Sequence, residues 1–139
     1  MKIVQKAFAY ITHRNRLLVF EHPHHPEAGL QVPAGSVEEQ EGCEAAVLRE
    51  AWEETGLDGL TVVRFLGEQR RDMRAFGRQE IHERHFFHLA YTKTPPESWE
   101  HHELFGSDGD HHLFRFFWVE LDAVPPLIAG HDAFLHELA

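Results

Sequence analysis

Three glutamates, Glu50, Glu53 and Glu54, lie within the segment REAWEETGL (residues 49–57). Positions i, i+3 and i+4 are neighbours on a helix, so these carboxylates would share one face. If water covers that face, their repulsion costs only about 0.2–0.5 kcal/mol per pair, and a solvated acidic surface is one interpretation. If protein covers it, the cost rises to roughly 3 kcal/mol at ~6 Å and an effective dielectric of about 20, so a cation is needed. Carboxylate oxygens suit Mg²⁺ or Mn²⁺.

The glutamates belong to a longer pattern of fixed spacing, G-x5-E-x7-R-E-U-x-E-E-x-G-U, in which U is an apolar residue. This pattern closely resembles the Nudix box, the loop–helix–loop motif of the Nudix hydrolases, and places that box at residues 35–57. The flanking segments LQVPAG and FFWVEL also resemble strands of that family. The fixed positions are filled by Gly35, Glu41, Arg49, Glu50, Ala51, Glu53, Glu54, Gly56 and Leu57.

The resemblance implies both a fold and a reaction. The fold is an α/β/α sandwich with a mixed β-sheet between helices, formed by one domain over residues 1–139. The reaction is Mg²⁺-dependent hydrolysis of the pyrophosphate bond in a nucleoside diphosphate linked to another moiety, such as an NTP, a dNTP or a nucleotide derivative. A non-catalytic module that binds a nucleotide without cleaving it is the alternative. Such modules usually have degenerate boxes, whereas every carboxylate of the box is present here.

The second moiety of the substrate is not named by the sequence. Some Nudix subfamilies are distinguished by the residue about sixteen positions after the box. A proline there is typical of ADP-ribose hydrolases, and a tyrosine is typical of dinucleoside polyphosphate hydrolases. Neither residue type occurs between Leu60 and Ala90, and the counted position is Met73. The length of the chain favours a compact, MutT-like form.

The resemblance assigns roles to the carboxylates. It implies that Glu50, Glu53 and Glu54 hold Mg²⁺, or Mn²⁺ in its place, with the Gly35 carbonyl as a further ligand. Glu53 is also the preferred general base. In some relatives the base comes instead from a loop before the last strand, which corresponds here to residues 100–112. The candidates in that loop are Glu100, Glu103, Asp108 and Asp110, with His101, His102, His111 and His112.

Other residues of the motif have supporting roles. Arg49 precedes Glu50 directly, and its planar guanidinium is expected to hold a carboxylate in one orientation, which makes it part of the catalytic group. Glu41 is expected to anchor the loop rather than to bind metal. Gly56 follows the last helical residue, where glycine is favoured because it adopts left-handed backbone conformations.

The elements that position the motif are predicted in the order β-β-β-α-β-β-β-α, which suggests a mixed sheet packed against helices. The first two strands meet at a turn at Arg14–Asn15, and a short strand ends at residues 33–35. PPESWEHHELFGSDGD (residues 95–110) is predicted to be a polar loop, and HLFRFFWVEL (residues 112–121) is predicted to be an aromatic strand. The last twelve residues, IAGHDAFLHELA, are predicted to form a short helix.

The motif helix is predicted over residues 42–55. At about 100° per residue, Ala45, Leu48 and Trp52 share one face, which is expected to face the core. The three glutamates fall on the opposite side, together with two further apolar residues, Ala46 and Val47.

Charge constrains the partners of the protein. The formal net charge of −10 argues against binding a long nucleic acid, which needs a basic surface. A small anionic nucleotide remains possible if positive charge is supplied locally. Arg70, Arg71 and Arg74 are predicted to bind substrate phosphate, because guanidinium groups bind phosphate through paired hydrogen bonds. A solvated hairpin is the alternative for this stretch, which also contains Arg78 and Arg84.

Composition suggests the cellular compartment of the protein. No segment has the ~18 continuous apolar residues that a membrane-spanning helix needs. The single cysteine, Cys43, excludes an intramolecular disulfide and suits a reducing cytoplasm. We therefore expect a cytoplasmic enzyme without a membrane partner, and a homodimer is possible.

Overall fold

The computed structural model describes residues 1–102 and 112–138, which are organised around a seven-stranded sheet. The order across the sheet is β4-β5-β1-β2-β7-β6, and β3 pairs with β1 beside this path. One α-helix, α1, spans Cys43–Thr55. The strands are β1 (Lys2–His13), β2 (Arg16–Glu21), β3 (Ala34–Ser36), β4 (Thr61–Asp72), β5 (Glu80–Ala90), β6 (Ser98–His102) and β7 (Leu113–Glu120).

The long first strand is the centre of the sheet. It runs parallel to β5 along its whole length and antiparallel to β2 and β3, so the sheet is mixed as predicted. β2 pairs with β1 only next to their turn, at Thr12↔Leu17 and His13↔Arg16. Farther along, β3 takes over as the antiparallel partner of β1, from Phe8↔Ala34 to Lys6↔Ser36. The start of the motif is therefore held against the middle of the sheet.

Alternate residues of β1 face two separate cores. Ala7, Ala9 and Ile11 pack in the core beneath α1. Phe8 and Tyr10 face the opposite side, where the chain after β7 packs against the sheet. The α/β/α layering predicted from the motif is thus confirmed.

The predicted C-terminal helix is wrong in type. Two short 3-10 segments, Ile128–Gly130 and Leu135–Leu138, form the second outer layer instead. Ala129 and Gly130 have φ of 50° and 77°, a left-handed conformation that interrupts a right-handed helix. Phe134 and Leu138 still pack against the sheet, so the apolar pattern of this segment predicted burial but not helical geometry.

The predicted core face of α1 is also wrong. Ala45 is exposed and Trp52 is 45% exposed, whereas Leu48 is only partly buried. Ala46 and Val47, which were assigned to the glutamate side, have no exposed surface. The helix turns its glutamate side inward because β3 covers that side, so the acidic face is covered by protein. The completely or nearly buried residues of α1 are Ala46, Val47, Ala51, Glu54 and Thr55.

The predicted polar loop after β5 contains an edge strand, β6. It pairs antiparallel with β7, with Trp99 opposite Phe116. Trp99 and His101 point inward and alternate with exposed residues, and Trp99 stacks on Phe116 at 5.3 Å between ring centroids. Polar residues on the exposed side concealed this strand. The remainder of the predicted loop, residues 103–111, lies outside the described residues. In the described part of the chain, no helix has the length and apolarity required to cross a membrane.

Candidate active site

Glu54 connects the helix to β3. Its Oε1 accepts a hydrogen bond from the backbone N–H of Ala34 at 2.8 Å, and the residue is only 4% exposed. One turn earlier in the helix, the Glu50 carboxylate lies directly against Gly35, where a Cβ atom would overlap the carboxyl group. The backbone of β3 and two helix carboxylates are therefore in close contact.

Arg49 joins three carboxylates of the motif. Its Nε and Nη2 donate to the two carboxylate oxygens of Glu41 at 2.8 and 2.9 Å. Its Nη1 donates to Glu50 at 2.9 Å and to Glu53 at 3.3 Å, and Nη2 also donates to the Ser36 carbonyl at 3.0 Å. A guanidinium has five N–H donors, and these five bonds account for all of them. Arg49 thus fixes the geometry of the loop and the helix together.

The electrostatics of the Arg49–Glu41 pair follow from these bonds. The hydrogen bond from Arg49 lowers the pKa of Glu41 to about 2, against a burial effect that acts in the opposite direction. In turn, the bond to Glu41 raises the pKa of the Arg49 guanidinium. Glu41 also accepts a hydrogen bond from the Glu38 backbone N–H at 3.0 Å. Both oxygens of the Glu41 carboxylate are therefore bonded within the motif.

Gly56 ends the helix. Its φ of 75° is left-handed, and its N–H donates to the Trp52 carbonyl at 2.8 Å. Two side chains of β6, Trp99 and His101, bind further carbonyls in this last turn. Sequence reasoning did not place these contacts, because the only signal was the alternation of inward and outward residues in SWEHH.

Four of the other candidates for a general base lie among the described residues. Glu100 and His102 are exposed on β6, while His101 points toward α1. His112 lies beside His22, with 6.2 Å between their ring centroids. The candidates that lie outside the described residues are Glu103, Asp108, Asp110 and His111.

The three predicted phosphate-binding arginines each have a different partner. Arg70 is paired with Glu83 at 3.4 Å, and Arg74 with Asp72 at 2.6 Å. Arg71 lies over the ring of Phe76 at 5.5 Å. In this structure two of the three arginines are paired with carboxylates and the third lies over an aromatic ring.

Arg84, from the same stretch, is buried rather than solvated. It is 3% exposed and donates to the Ala129 carbonyl at 2.6 Å. Burial, followed by the charge of Arg71, lowers its pKa to about 10. Its position suits a structural role beneath the C-terminal segment.

The sequence analysis did not identify Lys6, which is a cation near the carboxylates. It is in register with Ser36, and its Nζ donates to the Ser36 hydroxyl oxygen at 3.0 Å. Burial and the charge of Arg78 lower the pKa of Lys6, whereas Glu50 and Glu54 raise it. The two glutamates are thus close enough to act on Lys6 electrostatically. The only sequence signal was a lysine directly before the apolar run AFAYI.

The carboxylates do not form a metal centre in this conformation. Among residues 1–102 and 112–138, no three His, Cys, Asp or Glu side chains are arranged to hold a metal ion together. Glu50 and Glu53 are instead turned toward one nitrogen of Arg49. A cavity of about 660 Å³ lies elsewhere, next to the turn between β1 and β2 and the C-terminal segment, and none of its lining residues belongs to the motif.

The fold is similar to several solved structures. The MutT NUDIX hydrolase from Burkholderia pseudomallei is 24% identical, with 100% of both chains covered and a TM-score of 0.64. The MutT protein from Methanosarcina mazei is 19% identical, with 98% of this chain and 92% of that chain covered and a TM-score of 0.67. An ADP-ribose pyrophosphatase from Streptococcus suis is 17% identical, with coverage of 97% and 90% and a TM-score of 0.59. At these identities the likeness shows the fold alone.

Membership of a family is shown by the sequence. No curated protein matches the chain significantly. The NUDIX domain, however, matches residues 4–138, which is nearly the whole chain. Together with the motif geometry between Gly35 and Gly56, this match establishes that the chain belongs to the NUDIX domain family and is a Nudix hydrolase, an enzyme of the class that cleaves pyrophosphate bonds.

Proposed function

We propose that the protein is a Mg²⁺-dependent hydrolase that cleaves the pyrophosphate bond of a nucleoside diphosphate linked to another moiety. One observation carries the proposal: Glu50 and Glu53 converge on the same nitrogen of Arg49, while Glu54 is bonded to the adjacent strand. Glu50 and Glu53 therefore share one partner, and Glu50 and Glu54 both contact β3, at Gly35 and Ala34. Their side chains are mostly buried, with Glu50 and Glu53 only 14% and 13% exposed.

These residues fit a hard divalent cation. All the donors are oxygens, which is the ligand type that Mg²⁺ takes in proteins, and their mutual repulsion in a covered site favours a bound cation. Glu50, Glu53, Glu54 and the Gly35 carbonyl would hold the ion, and Mn²⁺ would serve as a substitute. When bound, such ions neutralise phosphate charge and lower the pKa of an attacking water.

The side chains of the protein would then have separate roles in the reaction. Glu53 would accept the proton of the attacking water, and Arg49 would keep the carboxylates of Glu50 and Glu53 in fixed orientations. Lys6 supports the binding of an anionic substrate, because it is a cation within the electrostatic range of Glu50 and Glu54. Arg70, Arg71 and Arg74 remain proposed phosphate contacts. Among the described residues, Arg70 and Arg74 each pair with a carboxylate, whereas Arg71 does not.

The proposal is tested by a screen for metal-dependent release of product. NTPs, oxidised dNTPs, ADP-ribose, nucleotide sugars and dinucleoside polyphosphates would be offered at saturating Mg²⁺, and again without divalent metal. Glu53→Gln should reduce turnover by at least about 100-fold, since a general base contributes roughly 10²–10⁴-fold. Glu54→Gln removes a proposed ligand of the metal ion and should also reduce turnover strongly. Glu44→Gln, at an exposed position in the first turn of α1, is the matched control and should behave like wild type.

Two outcomes would contradict the proposal. One is the absence of turnover with every substrate class, and a thermal shift with nucleotide but without product would then favour a nucleotide-sensing module. The other is wild-type turnover in both glutamine variants, which would remove α1 from the chemistry.

A further inference from the structure

The last turn of α1 is held by two side chains of the edge strand β6. Trp99 Nε1 donates to the Thr55 carbonyl at 2.9 Å. The Nε2 of His101 lies 3.0 Å from the Glu53 carbonyl oxygen. A carbonyl oxygen only accepts, so His101 Nε2 carries a proton and donates.

The hydrogen bond from His101 gives the Glu53 carbonyl a partner that the helix does not provide. The last four carbonyls of an α-helix lack partners within the helix. The N–H of Leu57, four residues after Glu53, bonds to the Thr55 hydroxyl at 3.0 Å instead of continuing the helical pattern. The imidazole of His101 therefore supplies the Glu53 carbonyl with a donor in a partly buried position.

Gly56 makes the approach of the imidazole possible. A Cβ at this position would lie 3.0 Å from His101 Cε1 and 3.1 Å from His101 Nδ1, closer than ordinary van der Waals contact. The glycine thus serves two needs at once, because its φ of 75° also ends the helix. Because Gly56 has no side chain, His101 of β6 can contact the last turn of the motif helix.

β6 is itself firmly positioned by the core. Trp99 stacks on Phe116 of β7 with an interplanar angle of 18°. Phe116 has no exposed surface and is part of the core beneath α1. A strand anchored in this way provides a rigid reference for the helix end.

We infer that His101 is a positioning residue of the active site, which acts through the Glu53 carbonyl oxygen to fix the helical turn that carries Glu53 and Glu54. Arg49 donates to the Glu53 side chain, and His101 donates to the Glu53 backbone carbonyl. This inference rests on the proposed function, because it assumes that these carboxylates perform the chemistry. It also separates His101 from the candidate bases, since its inward nitrogen is already committed to a carbonyl.

The first test needs no substrate and no metal. Amide hydrogen exchange would be measured in the metal-free protein for Glu53–Gly56. His101→Ala should accelerate exchange in this turn about 10-fold or more, because the turn loses its external donor. His101→Gln should restore most of the protection, since a glutamine amide can donate to the same carbonyl. Ser98→Ala, on the exposed side of the same strand, is the control and should match wild type.

The second test is kinetic. His101→Ala should lower kcat by about 10–100-fold while KM changes by less than about 3-fold, because small misplacements of catalytic groups slow the reaction strongly. His101→Gln should recover most of that loss. Trp99→Phe keeps a ring to stack on Phe116 but removes the donor to Thr55, and it should cause a smaller loss of the same kind.

The inference would be overturned if His101→Ala retained wild-type exchange in Glu53–Gly56, or wild-type kcat. It would also be overturned if the glutamine variant were as impaired as the alanine variant, since the hydrogen bond would then be irrelevant. Failure of the proposed function has a different signature, namely a wild-type protein without turnover. The exchange measurement would still decide whether His101 holds the turn.

Discussion

The carboxylate of Glu50 occupies the space in which a side chain at Gly35 would have to lie. Gly35 is not among the residues with positive φ, so close approach rather than backbone conformation requires glycine here. This differs from Gly56, which needs the left-handed region as well. The two glycines of the motif therefore serve different physical purposes.

Gly35→Ala should displace the Glu50 carboxylate and disturb its bond to Arg49. We expect kcat/KM to fall by about 100-fold, the cost of a misplacement near 1 Å. Stability should decrease by about 1–3 kcal/mol, as is typical of overpacking. Steady-state kinetics and urea unfolding measure the two effects. Gly42→Ala is the control, because nothing lies within 4 Å of a Cβ at that position, and loss of activity there to the same extent would contradict the explanation.

Arg49→Lys should be strongly disruptive although it keeps the positive charge. An ammonium group has three donors on a single atom and does not reproduce the five bonds of the guanidinium. We expect kcat to fall by at least about 10-fold and the free energy of unfolding to fall by about 1–3 kcal/mol. Arg16→Lys, at the exposed pair with Glu97, should leave the stability close to that of wild type. Equal effects of the two substitutions would rule out a special role for the planar group.

His131 should make the fold sensitive to acid. Burial, with the charges of Arg84 and Arg71, lowers its pKa to about 3 from an ordinary value of 6.5. Its Nδ1 accepts the N–H of Val32 at 3.1 Å. Below pH 6.5 the unfolded chain gains a proton that the folded protein does not bind. Stability is therefore lost as the pH falls from 6.5 toward 3, by up to about 1.4 kcal/mol per pH unit.

His131→Asn separates this effect from other titrations. The amide oxygen can still accept from Val32 but does not titrate. Urea unfolding at successive pH values should give a flatter curve between pH 6.5 and 3 than in wild type. An unchanged slope would show that another group is responsible for acid sensitivity in that range.

Truncation should destabilise the protein more on the buried side of α1 than on the exposed side. Val47→Ala removes two methyl groups from a residue with no exposed surface and should cost about 1–3 kcal/mol. Trp52→Ala, at a position that is 45% exposed, should cost less than about 1 kcal/mol despite the larger change in volume. Thermal unfolding of both variants measures these costs. A larger cost for Trp52→Ala than for Val47→Ala would support the core face that was predicted from the sequence.

The spacing of the motif predicted α1 almost to the residue, since the predicted range 42–55 compares with Cys43–Thr55. Spacing did not reveal which side of the helix is covered, because β3 packs there and its pairing with β1 is a long-range property. The same holds for Lys6, whose neighbour Ser36 is thirty residues away in sequence. The ion pairs of Arg70 with Glu83 and of Arg74 with Asp72 were likewise not predicted from the sequence.

The parallel pairing of β1 with β5 has a consequence for how the enzyme acquires activity. Lys2 pairs with Glu80 and Thr12 with Ala90, so paired residues lie 78 positions apart in the sequence, and the chain between the two strands includes the whole motif. Contacts of such high sequence separation slow folding, because a long loop must close before they form. During refolding from urea, helical circular dichroism from α1 should therefore appear before catalytic competence, which waits for the slow closure of the central strands.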